Sequence, residues 1–230
     1  KPFQVDSKEL ENAVRGVRGL SIRGCGVLMP HKEAVLPHLD IVDEHAQEIG
    51  AVNTVVNENG VLHGYNTDYS AAKSVLSALR RALLIVGIGG VARAITVAAK
   101  ELQLSVTVTG RDATKALAFA ARYDIPTLPW QQRDRFTADT LINATPVGMS
   151  PDTGMIVRGR ALDNFSVVAD LVINPVRTPL LRAAVRHGRQ TIAGAAFALQ
   201  QALEQFRLYT EKEPPTSVME RALRSLLEEE

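Results

Sequence analysis

The chain of 230 residues is 46% hydrophobic and 22% charged, with a formal net charge of +1 at pH 7. This length and composition allow one large core or two smaller ones, and we expect two domains. The sequence has neither the basic stripe typical of nucleic-acid binding nor an apolar run long enough to span a membrane. Cys25 is the only cysteine, which rules out an internal disulfide and suits a reducing compartment. We therefore expect a cytoplasmic protein without nucleic-acid or membrane partners.

The first third of the chain predicts a small mixed unit of helices and strands. Turn-forming residues Asn57 to Gly60 separate two β-prone stretches and predict a hairpin. A proline at position 30 is expected to end the preceding strand. The predicted elements are a helix at 8–18, a strand at 24–30, helical pieces at 34–50, strands at 50–56 and 61–65, and a helix at 69–79.

Residues 83–94 predict a strand, a glycine turn and a helix. Glycines let a pyrophosphate approach the backbone, and the helix start offers free N–H groups and the positive end of the helix dipole. Ala94 would take a third small position, where helix and strand pack closely. This stretch therefore predicts a dinucleotide site, with candidate contacts at Gly87, Gly89, Gly90, Val91 and Ala92.

A second strand is predicted at 104–108, and a polar cluster follows it about twenty residues beyond the glycines, where a Rossmann unit meets the adenosine ribose. In that cluster Arg111 favours a 2′-phosphate and therefore NADP. Asp112 would instead accept hydrogen bonds from a 2′-hydroxyl, which keeps NAD as an alternative.

Strands and helices continue to alternate from about 83 to 192, which predicts a parallel sheet. The final part of the chain is predicted to be helical. The remaining elements are a helix at 113–123, strands at 140–144 and 167–173, and helices at 178–187, 194–208 and 218–227.

Lys32 and Asp68 are charged groups at the ends of elements that are otherwise suited to burial. Both elements precede the dinucleotide unit, and we expect them to face its cofactor across a cleft. Oxidation of a hydroxyl to a ketone needs a proton-transfer group at the oxygen, and neutral lysine or ionised aspartate can serve. The pair is therefore our candidate for catalysis, and the sequence leaves open which side chain carries the proton. The histidines lack metal-ligand spacing, so we expect no metal site.

Several short motifs occur in a fixed order along the chain. They are Met29-Pro30-His31-Lys32, Gly50-Ala51-Val52-Asn53-Thr54, Gly64-Tyr65-Asn66-Thr67-Asp68, the glycine turn, Asn143-Ala144-Thr145-Pro146-Val147-Gly148-Met149, and Gln201 after Gly194. Together they resemble the shikimate dehydrogenase family over nearly the whole chain. The resemblance implies an α/β fold with two domains. One is a split catalytic domain of residues 1–76 and 195–230, completed by C-terminal helices, and the other is a Rossmann-type NADP-binding domain of residues 77–194 with a parallel sheet.

The resemblance also implies roles for single residues. Lys32 and Asp68 look like the catalytic pair, while Asn53, Thr67 and Gln201 look like ligands for the carboxylate or ring hydroxyls of a cyclohexene acid. The implied activity is NADP-dependent interconversion of shikimate, or a close cyclic hydroxy acid, and its 3-dehydro ketone, within aromatic amino acid biosynthesis. The residues that would line the cofactor beyond the glycine turn and Arg111 are Asn143, Ala144, Thr145, Met149 and Gly194.

Three features depart from the common family pattern. The family's serine-containing substrate loop is not in this sequence, and we expect a segment before residue 1. Ile173 stands where the family often has tyrosine, and Phe197 where it often has methionine. Together with Ile22-Arg23-Gly24-Cys25-Gly26-Val27 ahead of Lys32, these changes favour the shikimate dehydrogenase-like branch. Quinate or another polyol as substrate, and an NADP-binding regulatory protein without turnover, are the alternatives. We expect a monomer or homodimer.

Overall fold

The computed structural model describes residues 2–79 and 82–228, which form two β-sheets with helices packed against them. The first part contains α1 (Leu10–Gly19), β1 (Gly24–Gly26), α2 (His31–Ala34), β2 (Ile41–Val42), α3 (Glu44–Ile49), β3 (Thr54–Glu58), β4 (Val61–Tyr65) and α4 (Thr67–Leu76). The second part contains β5 (Ala82–Val86), α5 (Gly90–Glu101), β6 (Ser105–Thr109), α6 (Ala113–Tyr123), β7 (Thr140–Asn143), β8 (Val167–Asp170), α7 (Pro179–Arg186) and β9 (Gln190–Ala193), followed by α8 (Gly194–Thr210) and α9 (Thr216–Glu228). The mixed α/β fold with a parallel sheet is as predicted.

The first sheet has the strand order β1-β3-β4-β2. Strands β1, β3 and β4 pair antiparallel, and β2 runs parallel to β4. The hairpin between β3 and β4 turns at Asn59 and Gly60, whose φ angles are 55° and 94°. Two positive φ angles are what a tight two-residue hairpin turn requires. The strands consequently extend to the Glu58–Val61 pair, and the turn is shorter than the predicted four residues.

The second sheet is entirely parallel, in the order β6-β5-β7-β8-β9. Leu83 to Val86 in β5 are all buried, as expected of a strand covered on both faces. The chain leaves β5 towards β6 on one side and later returns to β7 on the other. The carboxyl end of β5 is therefore a switch point in strand order, the place where open α/β sheets bind ligands.

Some predicted elements were wrong in extent or type. The strand expected over 24–30 ends at Gly26, and the strand expected over 167–173 ends at Asp170. Helical pieces were expected over 34–50, but Ile41–Val42 is a strand. It forms because Asp40 exchanges hydrogen bonds with Leu62, which aligns the segment with β4. The connection from β7 to β8 has only a 3-10 helix, Gly159–Asn164, instead of the α-helix of a regular alternation.

Helix α4 links the two sheets, since it packs against both α5 and α8. Helix α8 also contacts β3 of the first sheet, although it follows the last strand of the second. Ile49, Leu76 and Phe197 share one hydrophobic core with residues of the parallel sheet. This packing brings α8 beside the elements that carry Lys32 and Asp68. Within residues 2–79 and 82–228, no helix has the length and apolar character needed to cross a membrane.

Candidate active site

Lys32 and Asp68 form a partly buried ion pair. Lys32 lies in α2, directly after the proline that ends the preceding segment, and Asp68 lies in the first turn of α4. Lys32 Nζ donates to Asp68 Oδ2 at 2.9 Å, and the two side chains are 20% and 5% exposed. Because an ammonium group has three donors, this contact leaves Lys32 able to meet a second acceptor.

Gln201 of α8 completes this cluster. Its Nε2 donates to Asp68 Oδ1 at 2.7 Å across 133 residues of sequence. Both oxygens of Asp68 therefore have a partner, which fixes the plane of the carboxylate. The structure brings together the two predicted catalytic residues and one of the three predicted substrate ligands. In this arrangement Gln201 holds Asp68, and its own carbonyl oxygen is the end left for a ligand.

Asn53 and Thr67 lie together in an adjoining buried cluster. Asn53 Oδ1 accepts from the backbone N–H of Thr67 at 2.8 Å and from the Thr54 hydroxyl at 2.9 Å. The Thr67 hydroxyl lies 3.1 Å from the same oxygen. Thr54 is held in turn by Gln205 of α8, whose Nε2 lies 3.1 Å from the Thr54 hydroxyl.

One donor of this cluster has no partner among the described residues, namely Asn53 Nδ2. The orientation of this amide is set by Thr67, because a backbone N–H only donates and must face the oxygen of Asn53. A buried donor without an acceptor costs about 1–3 kcal/mol. Such an atom calls for an explanation, and a ligand oxygen in the cleft is one.

The glycine turn lies at the switch point of the parallel sheet. Gly87 has a φ of 127°, and a Cβ there would lie 2.6 Å from the carbonyl oxygen of Ala144. Both the positive φ angle and the close carbonyl oxygen therefore exclude a side chain at this position. At the start of α5 the N-cap is Gly89, which supplies no side-chain cap and has open space around it. The first N–H groups of α5 thus face a gap that an anion can fill.

Arg111 and Asp112 follow β6 as predicted, but their surroundings differ. Arg111 is exposed and has no hydrogen bond or ion pair within residues 2–79 and 82–228. Asp112 is the N-cap of α6, where it accepts from the backbone N–H of Lys115 at 3.0 Å. The Asp112 side chain therefore already has a structural role, whereas Arg111 is free to meet a ligand.

Asn143 lies below the predicted nicotinamide loop. It is fully buried, its Nδ2 donates to Asp170 and to the carbonyl of Val147, and its Oδ1 accepts from Thr145. The side chain thus shapes the loop from beneath. The cofactor contact assigned to Asn143 stays a prediction, as do the other cofactor contacts.

The other predicted cofactor residues lie near the carboxyl ends of the parallel strands. Met149 is exposed, while Ala92 lies in the first turn of α5 and is fully buried. Gly194 begins α8, and a Cβ there would lie 2.4 Å from the carbonyl oxygen of Val172. Glycine at this position therefore lets α8 start close to the loop after β8. The remaining members, Gly90, Val91, Ala144 and Thr145, are half-buried along the same edge.

Arg93 connects α5, the helix after the glycine turn, to α2, the helix that carries Lys32, and sequence reasoning missed this link. It forms an ion pair with Glu33, the neighbour of Lys32, and donates to the carbonyl of Ile49 at 3.1 Å. A cation at the end of α3 is favourable because of the helix dipole. This contact fixes α5 relative to α2 and hence the predicted cofactor site relative to Lys32.

Two further polar residues were missed, Gln205 and Asp170. Gln205 lies one helical turn after Gln201, and that spacing alone could have placed both on one face of α8. Asp170 is a carboxylate that ends an apolar strand, a pattern that also marks a site in α/β sheets. Within the described residues, no three His, Cys, Asp or Glu side chains come together as a metal site.

Comparison with known proteins identifies the family. Residues 1–55 match the family model described as "Shikimate dehydrogenase substrate binding domain", and residues 198–224 match "Shikimate 5'-dehydrogenase C-terminal domain". The shikimate dehydrogenase-like protein of Haemophilus influenzae is 39% identical over 94% of this chain and 82% of that protein. The chain belongs to the shikimate dehydrogenase family. Further curated relatives named shikimate dehydrogenase (NADP(+)) are 34–40% identical.

Solved structures of the family agree with the fold. Shikimate 5-dehydrogenase from Thermus thermophilus, in complex with NADP(H) and shikimate, has a TM-score of 0.87 at 34% identity, covering 96% of this chain and 85% of that one. Quinate dehydrogenase from Corynebacterium glutamicum, in complex with NAD, has the same TM-score at 31% identity, covering 94% and 82%. The predicted family is confirmed, and the choice of branch within it stays a prediction.

Proposed function

We propose that this protein is an NADP-dependent dehydrogenase that interconverts shikimate, or a close cyclic hydroxy acid, and its 3-dehydro ketone. The observation that carries the proposal is the Lys32–Asp68 pair, held by Gln201 and next to the unpartnered amide of Asn53. A relative of the same fold was solved with NADP(H) and shikimate. A protein that only bound the dinucleotide would have no use for a proton-transfer pair.

The residues present suit NADP. The uncapped start of α5 at Gly89 and Gly90 would hold the pyrophosphate, and the exposed Arg111 would meet the 2′-phosphate. Asp112 is the N-cap of α6, which argues against its recruitment by a 2′-hydroxyl and so against NAD. We propose Ala144, Thr145 and Met149 for the nicotinamide side, on the loop that Asn143 supports.

The chemistry of the chain's own residues follows from their positions. Bound NADP supplies the hydride acceptor. As the carbinol C–H bond breaks, the hydroxyl O–H bond breaks too, and the Lys32–Asp68 pair takes that proton. In the direction of reduction the pair returns it. Because Asp68 is held by Gln201, its orientation towards Lys32 is maintained throughout. We propose that Asn53, through Nδ2, and Thr67, through its hydroxyl oxygen, bind the ring substituents of the substrate.

We also propose the domain division: residues 1–76 and 195–230 form the catalytic domain, and 77–194 form the dinucleotide domain. The packing of α8 on α4 and β3 supports it. A chain ending at Ile192 would lose Gln201 and uncover the apolar face beneath α8, so we expect aggregation or loss of activity. A soluble, fully active truncation would contradict the division.

The activity is tested by following NADPH or NADH absorbance with shikimate and quinate, each against NADP and NAD. We expect the highest kcat/KM with shikimate and NADP. Quinate with NAD is the second candidate, because a quinate dehydrogenase solved with NAD has an equal TM-score and Ile173 leaves an exposed apolar side chain after β8. No turnover with any pair would favour a regulatory protein.

We further propose that the protein acts in the cytoplasm as a monomer or homodimer, without nucleic acid. The single cysteine and the balanced charge support this assignment. Light scattering during size-exclusion chromatography should give the chain mass of 24.9 kDa or twice that value. A larger assembly would contradict it.

A further inference from the structure

Gln205 contacts the substrate cluster through a single hydrogen bond to Thr54. The Gln205 Nε2 atom lies 3.1 Å from the Thr54 hydroxyl oxygen, and that oxygen lies 2.9 Å from Asn53 Oδ1. Gln205 thus donates a hydrogen bond to the Asn53 cluster. Gln201, one turn earlier on α8, donates in the same way to Asp68 of the proposed catalytic pair.

Counting protons shows what Gln205 does to Thr54. An amide nitrogen only donates, so the Thr54 hydroxyl must accept from Gln205. Its single proton then goes to Asn53 Oδ1 at 2.9 Å, which is nearer than the Thr67 hydroxyl oxygen at 3.2 Å. The Asn53 oxygen thus accepts from the Thr54 hydroxyl as well as from the backbone N–H and the hydroxyl of Thr67. The Asn53 amide is thereby held with Nδ2 directed away from the cluster, and Nδ2 is the buried donor without a partner.

We propose that Gln205 is a positioning residue for the substrate, which acts through Thr54 to reinforce the donating orientation of the Asn53 amide that the backbone N–H of Thr67 sets. The inference rests on the proposed function for the identity of the ligand, a ring hydroxyl or carboxylate oxygen. The direction of the hydrogen bonds follows from the geometry and does not depend on the proposed function. Gln205 itself does not touch the reacting atoms in this assignment.

Two substitutions separate the polarity of Gln205 from its bulk. Gln205→Met keeps the length and removes the donor, while Gln205→Glu replaces the donor by an acceptor that draws the Thr54 proton away from Asn53. We expect Gln205→Met to raise KM for shikimate about fivefold and Gln205→Glu about tenfold or more, from the loss of one oriented hydrogen bond. kcat and KM for NADP should stay within about twofold, because Lys32 and α5 are untouched.

Gln200→Met is the matched control, since Gln200 lies on the same helix and contacts Ser74 outside the cluster. It should leave KM unchanged. Thr54→Val should reproduce the KM increase, and the double variant with Gln205→Met should be no worse than Thr54→Val alone, because both act on one path. Additive losses, or a lower melting temperature of Gln205→Met with unchanged KM, would mean that Gln205 only packs α8 and would overturn the proposal.

A readout that needs no turnover distinguishes this proposal from the proposed function. The side-chain amide of Asn53 can be followed by ¹⁵N NMR, assigned by its loss in Asn53→Asp. Gln205→Glu should shift this signal and speed its hydrogen exchange, while Gln200→Met should not. If the wild-type protein does not turn over shikimate but the signal responds in this way, the positioning role stands and the substrate is wrong. An unchanged signal in Gln205→Glu would overturn the positioning role.

Discussion

Asp68 and Asp170 are both buried carboxylates of this protein, but their partners differ in kind. Asp68 accepts from the ammonium of Lys32 and from the amide of Gln201, and Lys32 remains accessible. Asp170 is fully buried, and the donors that the described residues show for it are neutral: Asn143 Nδ2 at 2.8 Å, the Val172 N–H at 3.1 Å and the Thr178 hydroxyl at 2.6 Å.

The difference in partners corresponds to a difference in function. Burial raises the pKa of Asp170, because desolvation of the charged form outweighs the hydrogen bonds that Thr178, Val172 and Asn143 donate to it. Asp170 joins the loop after β7 to the loop after β8 and has no route to a ligand through its own atoms. Asp68 instead pairs with Lys32, whose side chain is partly exposed. We infer that Asp170 supports the loops and Asp68 takes part in chemistry.

Removal of Lys32 should have the largest effect on activity. Lys32→Ala removes the proton-transfer partner and the cation that stabilises the developing oxyanion, so kcat should fall about 100-fold or more. NADP affinity, measured by fluorescence, should stay within about twofold because Arg111 and α5 are unchanged. Near-normal turnover of Lys32→Ala would show that Lys32 has no part in the mechanism. The Lys32–Asp68 pair would then have a structural role, as we infer for Asp170.

Removal of Asp170 should act on stability instead. Asp170→Ala leaves the Val172 N–H and the Thr178 hydroxyl without their acceptor, so the free energy of unfolding should fall by about 2–4 kcal/mol. Urea denaturation measures the loss, with Asp68→Asn as the comparison; this variant keeps an acceptor for Gln201 Nε2 and leaves no unpaired carboxylate, so it should cost less than about 1 kcal/mol. Equal losses in the two variants would contradict the distinction between the two carboxylates.

Removal of Arg111 should affect only the choice of cofactor. Arg111→Ala loses a charge-assisted contact to the 2′-phosphate, so KM for NADP should rise about tenfold while KM for NAD hardly changes. Arg189→Ala is a suitable control, since Arg189 donates to the carbonyls of His187 and Phe165 at the other end of the sheet. Equal use of both cofactors by the unmodified protein would show that Asp112, not Arg111, governs the ribose site.

The smallest expected effect is a pH dependence of stability from Asp170. Its pKa in the folded protein is raised above the ordinary value of 3.8, so its contribution to stability is complete below that value. The contribution is lost as the pH rises through the raised pKa. The free energy of unfolding of the wild-type protein should therefore fall with rising pH over that window relative to Asp170→Asn, which does not titrate.

Should Asp170→Asn fail to fold, the ¹³C signal of the Asp170 carboxyl gives the same test in the wild-type protein. A midpoint at or below 3.8 would contradict the raised pKa.

Local patterns in the sequence were enough to predict much of the fold and the separate parts of the site. Apolar runs and glycine spacing predicted β5, the turn at Gly87 and α5, because these signals are contained within about a dozen residues. The hairpin was predicted from the turn-forming residues Asn57 to Gly60 for the same reason. Lys32 and Asp68 were found since each follows a buried element. Their pairing was expected because both elements precede the dinucleotide unit, and the family resemblance implied it as well.

Only the tertiary structure decided which distant groups meet. Strand β2 has two residues and no pattern of its own, so only its pairing with β4 defines it. The links of Gln201 to Asp68 and of Gln205 to Thr54 depend on α8 crossing back to the first sheet, which no local pattern encodes. The sequence by itself determined the kinds of elements and the chemistry available, because propensity and spacing act locally. Long-range packing decided which donors find acceptors, and so which buried atom, Asn53 Nδ2, is left to meet a ligand.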